Sequence, residues 1–156
     1  MNLNLNKWET PPIEKIHEAY SAIIDNRIKL FEGYATVSSS DFVKDYRIEW
    51  NGNEYSSNDN ASYWTGKLGY PVIALLMIQG KLDYNPEMAK HFSGINWKKL
   101  NTAAKNNWSI VVEKIMNDLK DNGVDTDVIN QEIDKVYEQI KSLDITYKKS
   151  RLLPPK

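Results

Sequence analysis

The feature that most constrains this chain is a run of seven apolar residues, Val72-Ile73-Ala74-Leu75-Leu76-Met77-Ile78, set between Pro71 and Gly80. It is apolar on every side. Such a segment has no face to give to water and must be enclosed by the rest of the chain. Proline at its start and glycine at its end favour a buried central helix; a buried parallel strand is the alternative. The run is far shorter than the roughly 20 residues needed to span a bilayer. Enclosing it takes a sizeable shell. A chain of 156 residues suffices as one domain, since domains near that size bury roughly 68–70% of their unfolded surface.

What flanks the run differs in period. On the N-terminal side, Thr10-Pro11-Pro12 is a helix start. Ile13, Ile16, Tyr20, Ile23, Ile24, Arg27, Ile28 and Phe31 follow in a stripe that is apolar except for Arg27, and Gly33 closes it. The spacing predicts one long helix over about 11–32. Tyr34 to Val37 then favour a strand, and Tyr46, Ile48 and Trp50 alternate with Asp45, Arg47 and Glu49. Asn51-Gly52 supplies a hairpin turn, with a strand returning over 53–57. These segments predict a three-stranded antiparallel meander. On the C-terminal side a short helix is expected over 86–92. Trp97, Leu100, Ala104, Trp108, Val111, Ile115 and Leu119 predict a single helix over 96–120. Asn122-Gly123 ends it, and Asp125 or Thr126 starts a last helix, giving an antiparallel helix hairpin. The expected fold is α+β and mostly helical. Residues 1–147 form one globular domain, and 148–156 form a basic, proline-containing tail that is expected to fray.

Composition narrows the chemistry. There is no cysteine, which removes thiol nucleophiles, redox pairs and thiolate metal sites. The alternating asparagines of the first seven residues interrupt any signal-peptide core, so a soluble, cytoplasmic chain with no membrane partner is expected. Asp121, Asp125, Asp127 and Glu132 fit positions 1, 5, 7 and 12 of a calcium loop, but Gly123 and Thr126 break its pattern. A glycine helix stop followed by an aspartate cap explains the same residues. His17-Glu18 lacks the second histidine of a zinc-protease helix, because position 21 is Ser21. No cofactor and no metal site is expected.

Three functional readings remain. Thirteen of the 17 aromatic residues lie between Phe31 and Trp108. Tyr46 and Trp50 share a strand face and Trp97 and Trp108 a helix stripe, whereas Tyr63 and Trp64 sit in a polar segment that belongs to no periodic element. Ser57, Asn58, Asp59, Asn60, Ser62, Tyr63, Trp64 and Lys67 combine hydroxyls, amides and rings, a mixture suited to holding a protein or a small polar ligand. The leading expectation is a non-catalytic binding module using segment 56–70. The alternative is nucleic-acid binding. Residues 86–107 outline a helix-turn-helix, with Lys98, Lys99, Asn101, Lys105 and Asn106 on an exposed face. Against it stands a net charge of −1. The third reading is a small hydrolase-like enzyme centred on Asp59. A homodimer through the last two helices is also compatible with the sequence.

Overall fold

The computed structural model describes residues 6–156; the first five residues of the expected 1–147 unit, and most of the alternating asparagines, lie outside the described residues. The fold is α+β. Its elements are α1 (Lys15–Ile24), β1 (Ile28–Leu30), β2 (Tyr34–Ser38), β3 (Asp45–Asn51), β4 (Glu54–Ser57), α2 (Tyr70–Ile78), α3 (Pro86–Ala89), α4 (Trp97–Ala103), α5 (Trp108–Asp121), α6 (Thr126–Lys141) and β5 (Thr146–Tyr147).

The apolar run is α2. Gly69 stands at its N-cap, and every residue from Pro71 to Met77 is buried. α1 packs directly against it. From Ile16 to Ala22 α1 is likewise buried on all sides, although it carries His17, Glu18 and Ser21. Those polar groups are answered by the elements that wrap them. Ser21 Oγ donates to the Phe92 carbonyl and accepts from Trp97 Nε1 at 2.8 Å. His17 Nδ1 donates to the Glu14 carbonyl at 3.3 Å, and its ring meets Phe92 edge-on.

The long helix expected over 11–32 stops at Ile24. Asn26 takes φ 56°. Arg27 N–H then bonds the Ala22 carbonyl, and Asn26 N–H bonds that of Ile23. This is the paired 6→1 and 5→2 closure of a helix on a left-handed residue. The same closure recurs at Gly80, Lys105 and Gly123, where Lys81, Asn106 and Val124 bond back to Leu76, Asn101 and Leu119. The stop at Lys105 breaks the single helix expected over 96–120 into α4 and α5. Two glycine stops were legible in sequence. The asparagine and lysine stops were hidden, because the apolar stripe runs on past them.

The early end of α1 releases residues 28–30 to form β1. Among the described residues the sheet has five strands in the order β1-β2-β3-β4-β5. It is therefore not a three-stranded meander: β1 adds an antiparallel edge, and the two-residue β5 pairs parallel with β4. β5 is too short to show a period and comes from the far end of the chain. In the central part, Ala35 opposes Ile48, and Ile48 opposes Ser57. Val37, Ala35, Ile48 and Tyr55 turn one face of the sheet into the core. The β3–β4 hairpin pairs Asn51 with Glu54, so its turn residues are Gly52 and Asn53. Only Gly52 of the two has positive φ, which is the pattern of a type II′ turn rather than the one expected with Asn51 inside it.

Residues 148–156 run beside this sheet. Lys148 N–H bonds the Tyr55 carbonyl, Arg151 pairs with Glu49 at 3.1 Å, and Asn58 Nδ2 donates to the Leu153 carbonyl. No helix of the described residues is long and apolar enough to cross a membrane.

Two outcomes follow from these packing features. Lys105→Gly is expected to raise stability by about 1 kcal/mol, because a left-handed backbone costs an L-residue roughly that much. Were 96–120 one helix, the same change would lower stability by a similar amount; denaturant unfolding reads the sign. The second concerns His17, whose pKa burial lowers from 6.5 to about 4. The unfolded chain then binds a proton that the folded chain refuses. Stability is complete above pH 6.5 and falls as pH drops through about 4, by about 3 kcal/mol in all. Burial raises the pKa of Glu18 and of Asp59, which act in the opposite sense. Urea titrations from pH 7 downward on wild type and His17→Gln isolate the histidine: the variant is expected to lose the acid-sensitive slope that the wild type carries relative to it.

Candidate functional site

The site begins where β4 ends. Asp59 follows the strand and caps a π-helical turn, Ala61–Thr65, by accepting from Ser62 N–H at 3.1 Å. Asn60 stands at the N-cap position but makes no side-chain bond to the turn. Ser57 and Ser62 hydroxyls also donate to the Asp59 carboxylate. Asp59 is 5% exposed, and burial raises its pKa against the lowering effect of these bonds. The carboxylate lies directly over Gly69 at the start of α2. A Cβ placed on Gly69 would lie 2.0 Å from Asp59 Oδ2. Glycine is required here by close approach rather than by backbone angle, since its φ is −76°.

A second carboxylate comes from α1. Glu18 is 4% exposed. Its Oε2 receives Lys15 Nζ at 2.9 Å, and its Oε1 faces Asn101 Nδ2 at 3.4 Å. Burial is the largest effect and raises its pKa; Lys15, Arg27 and Asn101 pull the other way. Lys15 also stands 4.2 Å above the Trp108 ring. Because Asn101 Nδ2 is engaged by Glu18, Oδ1 is left, buried and without a partner.

These groups border one cleft of about 480 Å³. Segment 59–70 forms one wall through Asp59, Asn60, Trp64 and Lys67. The opposite wall is α4 and the loop after it, through Trp97, Lys98, Asn101 and Asn106, with Trp108 beyond. Lys98 N–H bonds Ser40 Oγ at 2.9 Å, which seats α4 on the loop after β2. Tyr46 and Tyr70 line the cleft with rings in edge-on contact, 6.4 Å apart. Burial raises both hydroxyl pKa values. For Tyr46 the charges of Asp59, Asp41 and Glu18 add to it, whereas for Tyr70 the Arg27 charge opposes it. Arg27 is buried; its Nη1 donates to the Ser38 carbonyl at 2.8 Å, while Nε and Nη2 have no partner.

The residues singled out in the sequence are thus divided. Ser57, Asn58 and Ser62 are buried and engaged in the scaffold, Asn58 by accepting from Arg47 N–H at 2.7 Å. Tyr63 backs Trp64 edge-on at 4.6 Å, and Lys149 stands over its ring. Trp64 itself is 64% exposed. Lys99 and Lys105 are exposed and do not line the cleft. Asn101, expected on an exposed face with them, is instead 8% exposed. Glu18 and Lys15 were not identified as site residues. The available signal was an acid inside a helix whose following residues, Ala19 to Ile24, carry no charge. Among the described residues no group of three or more His, Asp or Glu side chains is arranged to hold a metal. Asp125, from the calcium frame, caps α6 by accepting from Val128 N–H.

A family model described as uncharacterised conserved protein UCP014422 matches residues 8–146. The chain belongs to that family. Every cleft residue named above lies within the matched span. No curated protein and no solved structure matches the chain.

The contact between Asp59 and Gly69 has a measurable signature. Gly69→Ala is expected to destabilise by about 1–3 kcal/mol through overpacking. In an Asp59→Ser background most of that cost should vanish, leaving a coupling of at least about 1 kcal/mol. Equal costs in the two backgrounds, measured by urea unfolding, would show that the carboxylate and the glycine do not constrain each other.

Proposed function

We propose that the protein is a non-catalytic binding module for a small polar ligand held in the cleft between segment 59–70 and α4. The observation that carries this reading is the convergence of two segments, far apart in sequence, on one concavity of ligand size. The walls combine exposed and half-buried rings with a few polar groups, the usual division of labour in small-molecule sites. Asn101 Oδ1 supports it further. A buried acceptor without a partner costs about 1–3 kcal/mol, and a ligand donor recovers that cost. Trp64 has the character of a contact residue, a large ring left mostly in water beside a cleft.

The hydrolase reading draws on one feature, the presence of two buried carboxylates, Asp59 and Glu18, on the same cleft. Asp59 already accepts three hydrogen bonds that build the turn around it, which favours a scaffold role. The nucleic-acid reading draws on Lys98, Lys99, Lys105 and Asn106, all exposed.

A thermal-shift screen of small polar compounds tests the leading reading. Trp64→Ala is expected to change the stability of the free protein by no more than about 0.5 kcal/mol, as surface substitutions do. It should weaken any hit at least roughly tenfold. Asn101→Leu should weaken the same hits. Hits that bind Trp64→Ala and Asn101→Leu as well as wild type would place the ligand elsewhere and remove the cleft from consideration.

A further inference from the structure

We infer that the cleft takes a purine nucleotide, either free or at the end of a single strand. The inference rests on the binding-module reading and gives its ligand a chemical class. Four features act together. The first is the polarity of the inner wall. Asn101 Oδ1 has no partner, and Glu18 lies beside it. Both Glu18 oxygens already accept a hydrogen bond, so Asn101 Oδ1 is the acceptor left for an N–H or O–H donor at the inner end of the ligand.

The second is the aromatic wall. Trp64 is backed edge-on by Tyr63, with Lys149 Nζ 5.9 Å from its ring centre, and stays 64% exposed. A ring held in that way is a stacking platform for a planar group. The third is the charge at the mouth. Lys15 is neutralised by Glu18. Lys67 and Lys98, both exposed at the cleft, are in no ion pair among the described residues. Asp41 senses Lys98, but its carboxyl is held down first by Ser39 and by the Val43 N–H. An anionic group at the outer end of the ligand fits these two ammonium groups.

The fourth is size. About 480 Å³ is far more than an inorganic phosphate or a single amino acid fills. A nucleotide combines all four requirements in one molecule: a ring edge with N–H donors, a π face, an anion at the other end, and sufficient bulk. The two-ring base of a purine covers more of the aromatic wall than a pyrimidine does, and guanine and adenine both carry N–H donors on the outer edge of the ring.

Isothermal titration of the full chain tests this. The probes are GMP, AMP, UMP, guanosine, inorganic phosphate, maltose and a short single-stranded RNA ending in a purine. GMP or AMP is expected to bind at least roughly tenfold more tightly than guanosine, UMP or phosphate. The Lys67→Gln/Lys98→Gln double variant should lose that advantage over guanosine while binding guanosine as before. Trp64→Ala should weaken nucleotide and nucleoside alike. Both sets of changes are at exposed positions, so the variants should melt as wild type does. An RNA that binds more tightly than GMP identifies a strand end as the source of the nucleotide; a weaker one identifies the free nucleotide. The proposal is overturned if purine nucleotides give no binding, or bind no better than phosphate alone. If maltose or a hit from the thermal-shift screen then binds wild type and not Trp64→Ala, only the nucleotide assignment fails. If nothing binds in a Trp64-dependent way, the binding-module reading fails with it.

Discussion

Two helices without a water-facing side set the terms for everything else in this fold. α2 is apolar all round, so it asks only to be covered. α1 is buried all round and yet polar at His17, Glu18 and Ser21. Buried polar groups must find partners or the fold loses the full cost of their desolvation. Ser21 and Glu18 therefore dictate where a neighbour docks, while His17 is met by the Glu14 carbonyl just before it. Ser21 fixes the Phe92 carbonyl and the Trp97 indole. Glu18 draws in Asn101 from α4 and Lys15 from its own helix. The site is consequently a product of core satisfaction: α4 stands where it does because α1 needs hydrogen-bond partners there.

Asp59 plays the matching part on the other wall. It closes the turn at the end of β4 and rests against the bare Cα of Gly69, which begins α2. One carboxylate thereby ties the sheet to the central helix. The strand order, the turn and the apolar helix meet at that point. Both walls of the cleft are thus anchored to the α1–α2 pair, one through Glu18 and the other through Asp59. The loop segments that line the cleft are tied in this way to a rigid helix pair, which suits a preformed site.

Much of this was legible in the sequence, and the misses have physical causes. The apolar run could be read as a buried helix because nothing in it tolerates water. Gly80 and Gly123 announced their helix ends, since glycine enters the left-handed region freely. Asn26 and Lys105 use the same closure without that signal, and the apolar stripe continues beyond each. Their strain is met by the surrounding structure, which sequence periodicity does not register. β5 is two residues long and pairs with a strand some ninety positions earlier, so no local pattern could reveal it. Of the residues that border the cleft, Asp59, Asn60, Trp64 and Lys67 were singled out in a polar–aromatic segment, and Lys98, Asn101 and Asn106 for an exposed nucleic-acid face. That the two sets border one cleft depends on tertiary packing. Glu18 was overlooked because its meaning depends on Asn101, eighty-three residues away.

The distribution of the five tryptophans has an optical consequence. Trp8 and Trp97 are buried, Trp50 and Trp108 are partly covered, and Trp64 stands mostly in water on the cleft wall. An indole in water emits further to the red than one enclosed by side chains. Emission collected at the long-wavelength edge of the spectrum is therefore weighted toward Trp64. The native protein carries its own reporter at the place of interest, and changes in the cleft can be followed by light without attaching a label.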